Sequence, residues 1–285
     1  MAQMLAAVAS ILDRWLLLVK GLLAMKTLPL YQFDAFADQP LRGNPAAVVP
    51  LTQWLEDQLL QAIACENNLS ETAFILGANG HYQLRWFTPT VEVDLCGHAT
   101  LASAAAIYRF IEPDALRLVF TTRSGELLVE RDGEVMQMDF PLQSSQLYLM
   151  PLPLAQCFGI TPPEVYLGPD LMLVFDDAYT VRHLQPDFAA LKQLPGRGVI
   201  CTARGDDCDF VSRFFGPKCG IDEDPVTGSA HCQLTPYWAR RLGKTQLRAR
   251  QVSARGGSIE CGLAGERVLL RGRAQLYLRG EIYLP

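Results

Sequence analysis

Cys96-Gly97-His98-Ala99-Thr100-Leu101-Ala102 and Thr227-Gly228-Ser229-Ala230-His231-Cys232 are the two stretches on which the fold of this chain turns. Each sets a glycine with small or polar neighbours at the mouth of an apolar helix, after a strand and a turn. From Gly97 to Phe110 almost no charge appears before Arg109, and a helix apolar all round has to be buried. Strand patterns surround it at 30–37, 46–49, 73–76, 82–87, 116–121, 127–130 and 135–140, with a Gly-Asn-Pro turn at 38–45. Thr52 is placed to cap a helix with Leu55, Leu59, Leu60 and Ile63 on one face, ended by Asn67 and Asn68.

The second half repeats this grammar. Strands are expected at 171–175, 199–203 and 209–215, a turn at 220–225, then the helix opened by Gly228 and running through Tyr237 to Leu242. Four strands follow, at 246–253, 258–262, 267–271 and 274–278. The economical reading is an α+β fold made of a two-fold repeated unit, each a sheet wrapped around, or packed upon, one central helix. Domains are expected at 25–145 and 146–285, with the linker in the Pro- and Gln-containing stretch 141–153.

Composition bounds the function classes. The chain has 285 residues, 49% apolar and 19% charged, long enough to bury a core without disulfides or metals. A net charge of −5 supplies no general basic field for nucleic acid or anionic lipid, although a local pocket for a small anion is compatible with it. The eight cysteines include no C-x-x-C pair, which argues against a disulfide framework and against finger- or ribbon-type zinc, and points to the reducing cytoplasm.

Residues 1–24 stand apart. They are apolar, but Asp13, Arg14 and Lys20 interrupt any membrane span of roughly 18 residues. Gln3, Ser10, Asp13, Arg14, Lys20 and Gly21 gather within about 120° of helical arc, so the segment reads as an amphipathic helix. It lacks the basic start and clean apolar run of a secretory signal. An extra packed helix, an interfacial anchor and an upstream extension ahead of a true start at Met25 compete, and the extension is the preferred expectation.

The helix mouths carry the chemistry. A helix N-terminus offers free N–H groups and partial positive charge, suited to a carboxylate. Gly97 and Gly228 let a ligand approach the backbone, although each glycine reads equally well as a device for tight helix entry. If both mouths aim at one cleft, it suits a small acid whose developing negative charge needs stabilising. Glu71, directly before an apolar strand, is a candidate general acid and base, or a solvated turn residue. Asp224 either caps the second helix or faces the ligand. Cys96 gains thiolate character if it sits at the helix mouth, or is a small core residue. His98 bonds a substrate carboxylate or satisfies backbone groups. Cys96, His98, His231 and Cys232 form a weak zinc candidate, since adjacent His231 and Cys232 chelate awkwardly.

Other motifs fail. Gly243-Lys244-Thr245 ends like a P-loop, but Trp238 occupies the first glycine's place. Gly196-Arg197-Gly198 lacks the third glycine of a dinucleotide fingerprint, and no G-x-S-x-G elbow occurs. Arg255, in the turn Arg255-Gly256-Gly257, is a further possible anion contact. No motif demands a nucleotide, flavin or metal.

Six ordered motifs resemble the PhzF-like family of phenazine biosynthesis, related in fold to diaminopimelate epimerase. They are Phe33-Asp34-Ala35-Phe36 with Gly43-Asn44-Pro45-Ala46-Ala47-Val48-Val49; Ser70-Glu71-Thr72-Ala73-Phe74; Arg85-Trp86-Phe87-Thr88-Pro89; Cys96 to Ala102; Glu223-Asp224-Pro225-Val226-Thr227-Gly228-Ser229-Ala230-His231; and Gln251-Val252-Ser253-Ala254-Arg255-Gly256-Gly257. The resemblance spans Leu28 to the C-terminus and leaves residues 1–24 without a counterpart. It implies two similar domains, each a curved, mostly antiparallel sheet or barrel around a central helix, with the site in the cleft between them. It also implies a homodimer and cofactor-free isomerisation of a small carboxylic acid, as with trans-2,3-dihydro-3-hydroxyanthranilate. On that resemblance Glu71 takes a proton from one carbon and returns one to another, and Gly97, His98, Asp224, Gly228 and Ser229 bind substrate or assist. Cys96 departs from the phenazine enzyme and is similar to the epimerases, whose two helix mouths each carry a catalytic Cys. The second mouth here has no matching thiol. The competing readings are an amino-acid racemase or epimerase using Cys96, with Cys96 facing the substrate, and a non-catalytic small-acid-binding protein. Fold membership fixes architecture better than substrate.

Overall fold

A computed structural model describes residues 26–149 and 153–284. The expected N-terminal extension lies outside the described residues. The architecture is α+β, with eighteen strands in one connected, mostly antiparallel network among the described residues. That is more than an open twisted sheet accommodates, so the strands curl around helices.

The curling has a two-fold logic. In the first half, Asn44–Leu51 runs parallel to Glu71–Ala78, across a crossover containing the helix Asp57–Asn67. His81–Phe87 runs parallel to Arg117–Thr122 across a crossover containing the helix Gly97–Ala106. In the second half, Leu171–Val174 pairs in parallel with Val199–Arg204, and Phe210–Gly216 with Gln246–Gln251, the latter crossover containing the helix Gly228–Leu242. Each repeat therefore delivers its central helix at its second parallel crossover. The repeats meet where Val135–Pro141 pairs with Arg267–Gly272.

The closing strands are exchanged. Gln146–Leu147, at the end of the first repeat, pairs with Glu164–Leu167 of the second. Ala274–Leu284, at the end of the second, runs antiparallel along Lys26–Ala35 of the first.

Every residue from Gly97 to Ala106 is buried, as the apolar run requires. Its alanines and glycine let the surrounding strands close in. The α-helix stops at Ala106 rather than continuing to Phe110. A widened π-type turn, Ile107–Ile111, brings Phe110 onto Tyr31 with ring centroids 4.6 Å apart. In the second repeat Phe210 stacks on Trp238 of the other central helix at 5.7 Å.

Several local expectations are corrected. The first helix begins at Asp57 with Glu56 as its cap residue, so Thr52 caps nothing and Leu55 lies before the helix. Asn68 does end it, in the left-handed conformation. Residues 220–225 contain the strand Ile221–Asp224, which pairs with Phe210–Gly216 across an irregularity. Strand 246–253 stops at Gln251. The expected linker region contains the strand Gln146–Leu147, and the short helices Ala178–His183 and Phe188–Leu191 have their first turns capped by the Asp177 and Asp187 side chains. These helices are too short to show a 3.6-residue period, which is why the sequence pattern does not announce them.

Candidate active site

The two glycines at the helix mouths face each other. A methyl group on Gly97 would lie 3.5 Å from Gly228 Cα, and one on Gly228 3.5 Å from Gly97 Cα. Neither cap residue, Cys96 or Thr227, closes its helix with a side-chain hydrogen bond. Two positive helix ends therefore converge, with first-turn amides left for an anion.

Beside them, side chains from both repeats lock together. Gly43 holds φ +68°, and a methyl group there would strike the Ala35 carbonyl at 2.2 Å, so only glycine turns the chain into Asn44. Asn44 is wholly buried. Its Nδ2 donates to Asp224 Oδ1 at 2.7 Å and to the Val226 carbonyl at 2.9 Å, while its Oδ1 accepts from the Ser70 hydroxyl at 3.1 Å. One asparagine thus ties the Glu71 strand to the second helix mouth. Asp224 Oδ2 accepts from the Thr227 hydroxyl at 2.5 Å. It engages the cap residue's side chain rather than a helix amide, which corrects the capping expectation.

Glu71 opens its strand opposite Ala46. Its Oε2 is 2.8 Å from His98 Nε2, with the two side chains 17% and 6% exposed. Apart from that ion-pair contact, no hydrogen-bond donor among the described residues is aligned on this buried oxygen. His98 Nδ1 lies 3.6 Å from the Cys96 sulfur and 3.1 Å from Asn44 Nδ2. When protonated, the ring directs Nε2–H at Glu71 and Nδ1–H at sulfur; when neutral, Nδ1 can accept from Asn44.

The electrostatics separate the groups. Burial works against charge on His98, but the adjoining Cys96 sulfur and Glu71 carboxylate outweigh it and hold its pKa well above the ordinary value. Burial, offset by His98 but reinforced by Glu71, raises Asp224 to about 6. Burial, reinforced by Glu71 and partly offset by His98, pushes the Cys96 thiol up to about 11. The thiolate expected of Cys96 is therefore disfavoured; the thiol sits inside the helix mouth, dry and beside a carboxylate.

The other sequence candidates sort clearly. Ser229, in the first turn of Gly228–Leu242, accepts from Arg197 Nη2 at 2.9 Å. His231 is wholly buried with Nδ1 on the Thr227 carbonyl at 2.8 Å, and burial lowers it to about 4. Cys232 donates to the Gly228 carbonyl within its own helix. Cys96 and His98 gather with Glu71, within 4.8 Å, rather than with His231 and Cys232 as a zinc quartet would require. Glu71, Cys96 and His98 are thus the described residues able to share a cation. Arg255 bonds Asp34 at 2.7 Å and the Gly43 carbonyl at 2.8 Å, clipping the Asn44 turn. Asn44 and Ser70 escape the sequence reading as site residues, since Gly43-Asn44-Pro45 reads as turn punctuation.

Comparison with known proteins agrees with this architecture. Residues 33–280 match the family model described as "Phenazine biosynthesis-like protein". The chain belongs to this family. An uncharacterised isomerase of Pseudomonas aeruginosa is 55% identical, covering 90% of this chain and 99% of that protein. An uncharacterised isomerase of Halalkalibacterium halodurans is 43% identical, covering 91% of this chain and 100% of that protein. A PhzF-family crystal structure from Enterococcus faecalis superposes with a TM-score of 0.88 at 48% identity, covering 91% and 100% of the two chains. A hydroxyproline epimerase from Agrobacterium vitis, at 12% identity and TM-score 0.57, shares the fold alone. This PhzF-like chain is an isomerase enzyme, and no described helix is long and apolar enough to cross a membrane.

Proposed function

We propose that this PhzF-like chain moves a proton from one carbon to another on a small carboxylic acid, using its own side chains and no cofactor. The observation that carries this reading is Glu71 Oε2: buried, 2.8 Å from His98 Nε2, without another donor aligned on it among the described residues, beside two facing helix mouths. The substrate carboxylate lies against the first-turn amides of the two helices, beside the Gly97–Gly228 contact, with the Ser229 hydroxyl in reach of it. Glu71 accepts the proton from one carbon. The electron pair delocalises toward the carboxylate, where the helix mouths stabilise it; each well-placed donor contributes about 3 kcal/mol to such a step. Glu71 then returns a proton to a second carbon, so the protonation state of the protein is restored.

His98 and Asp224 assist by position. His98 pairs with Glu71 and fixes the direction of its carboxyl group, and Asp224 fixes Asn44 and Thr227 at the second mouth. The resemblance to trans-2,3-dihydro-3-hydroxyanthranilate isomerase supports a substrate with a C–H acidified by adjacent unsaturation. Racemisation through Cys96 is less well supported, since its thiol and that of Cys232 are both raised, the latter to about 12.

A homodimer in a reducing cytoplasm completes the proposal. All eight cysteines are free, and the strand Ala274–Leu284 pairs only with Lys26–Ala35 among the described residues, leaving one edge with exposed Tyr277 and Leu278. The test is to incubate a panel of small unsaturated acids with the enzyme in D2O and follow carbon-bound deuterium by NMR. Incorporation into at least one acid is expected; none across a panel of bound acids favours a binding protein.

A further inference from the structure

Arg197 reaches the second helix mouth, yet the chemistry above gives it no task. Its Nη2 donates to Ser229 Oγ at 2.9 Å. Its Nε and Nη2 also engage both oxygens of Asp170, at 3.1 and 2.8 Å. Asp170 is wholly buried and takes a third donor, the Gly198 amide, at 3.0 Å. The guanidinium lies 5.5 Å from the centroid of the Phe214 ring. The loop is fixed on both sides: Gly196 holds φ +84°, and a methyl group on Gly198 would strike the Phe214 ring at 2.3 Å.

Stability does not account for this arrangement. A wholly buried carboxylate carries a desolvation cost, while its attraction to an arginine whose side chain is 47% exposed is screened by water. What the pair achieves is a guanidinium held in one direction. Two consequences follow for the mouth. Ser229 Oγ accepts from Arg197, so the single proton of its hydroxyl is left to donate to a ligand. Arg197 Nη1 has no protein acceptor among the described residues, so it presents donors beside the same turn of helix.

We propose that Arg197 is a specificity-determining residue that binds a second acidic group, so that the substrate is a small dicarboxylate rather than a monocarboxylate. The inference rests on the reading that a first carboxylate occupies the facing helix mouths. With Nε and Nη2 taken by Asp170 and Ser229, the Nη1 N–H groups offer a second carboxylate a charge-assisted contact, and they would also accept a phosphonate.

The test uses butyrate and succinate, of equal carbon count, with 3-phosphonopropionate as the third arm, titrated calorimetrically into the full-length enzyme. Wild type is expected to bind succinate at least about tenfold more tightly than butyrate, the size of one charge-assisted contact. Stronger binding of the phosphonate than of succinate would overturn the dicarboxylate assignment. R197Q is expected to lose the preference while its butyrate affinity changes by less than about threefold. Because R197Q strands Asp170, the D170N/R197Q pair, in which no buried charge is left alone, is expected to lose it as well. E71Q is expected to keep the preference, which separates this inference from the proton-transfer reading: a wild-type preference for succinate alongside absent deuterium exchange in wild type sinks that reading only. Equal wild-type affinity for butyrate and succinate, including no measurable binding of either, overturns the anchor. So does a preference that survives in D170N/R197Q.

Discussion

Gly97 and Gly228, from two different repeats, stand close enough that a methyl group on either would touch the other's Cα at 3.5 Å. That distance is ordinary van der Waals contact, so the protein tolerates the methyl group, and a ligand held at the first-turn amides is expected to be crowded by it. Both glycines sit at first helical positions without positive φ, where alanine is the better helix former by roughly 1 kcal/mol. Gly97→Ala and Gly228→Ala are therefore expected to melt within a few degrees of wild type while weakening small-acid binding at least about tenfold, a loss of roughly 1.4 kcal/mol. Paired thermal melts and calorimetric titrations check this. Unchanged affinity in both variants would mean that the anion does not lie at the mouths.

Cys96 offers a clean division between two chemistries. With its thiol pushed up to about 11, it is protonated at neutral pH and cannot act as a resident thiolate base. Cys96→Ala is expected to keep isomerase turnover within about tenfold, because a neutral buried thiol contributes packing rather than a base. Alkylation of Cys96 by iodoacetamide, read by mass spectrometry, is expected to be negligible at pH 7. Loss of turnover by about a thousandfold or more in Cys96→Ala would install the thiol mechanism instead.

Two buried groups give stability opposite dependences on pH. Asp224 is raised to about 6, so between about pH 4 and 6 the folded chain keeps a proton that the unfolded chain has lost, and stability falls as pH rises. His231 is lowered to about 4, so below about pH 6.5 the unfolded chain holds the extra proton, and stability is lost as pH falls. Asp224→Asn removes the first contribution. Its stability relative to wild type is expected to improve by about 2–3 kcal/mol between pH 4 and 6.5, the free energy of lifting a carboxyl from its ordinary range to about 6. Denaturant titrations across that range measure the difference; a flat difference would place Asp224 in a solvated setting.

Asn44 is expected to matter beyond its size. Asn44→Ala leaves Asp224 Oδ1 without its 2.7 Å donor and the Ser70 hydroxyl without its acceptor. Unpaired buried polar groups of this kind cost about 1–3 kcal/mol each. A drop of a few kcal/mol is therefore expected in denaturant unfolding, together with impaired turnover. Asn44→Asp, which sets a second carboxylate on Asp224, is expected to fare no better.

How far the sequence reaches can be followed residue by residue. The two helix mouths are legible because burial of a charge-free helix and the need for close backbone approach both leave marks in local composition. Asp224 is legible as a candidate because it flanks the second mouth, and Glu71 because it stands directly before an apolar strand. Asn44 is not, because its partners Asp224 and Val226 come from the other repeat, and a glycine–asparagine–proline turn looks the same whether the asparagine is wet or buried. The Asp170–Arg197 pair joins two loops, and no periodicity records it. The exchange of closing strands, which lays Ala274–Leu284 along Lys26–Ala35, is likewise a long-range pairing with no local signature. The start of the first helix misleads because a plausible cap, Thr52, precedes residues that stay outside the helix.

The central claim is that Glu71 carries the proton, and Glu71→Gln tests it most directly. The substitution keeps the shape of the side chain and removes its basicity. Wild type and Glu71→Gln are compared on an acid that wild type labels from D2O, with affinity measured by calorimetry and deuterium incorporation by NMR. The account predicts binding within about threefold of wild type and labelling slowed by at least about a thousandfold, the scale of a lost general base. Labelling that proceeds at the wild-type rate in Glu71→Gln would contradict it.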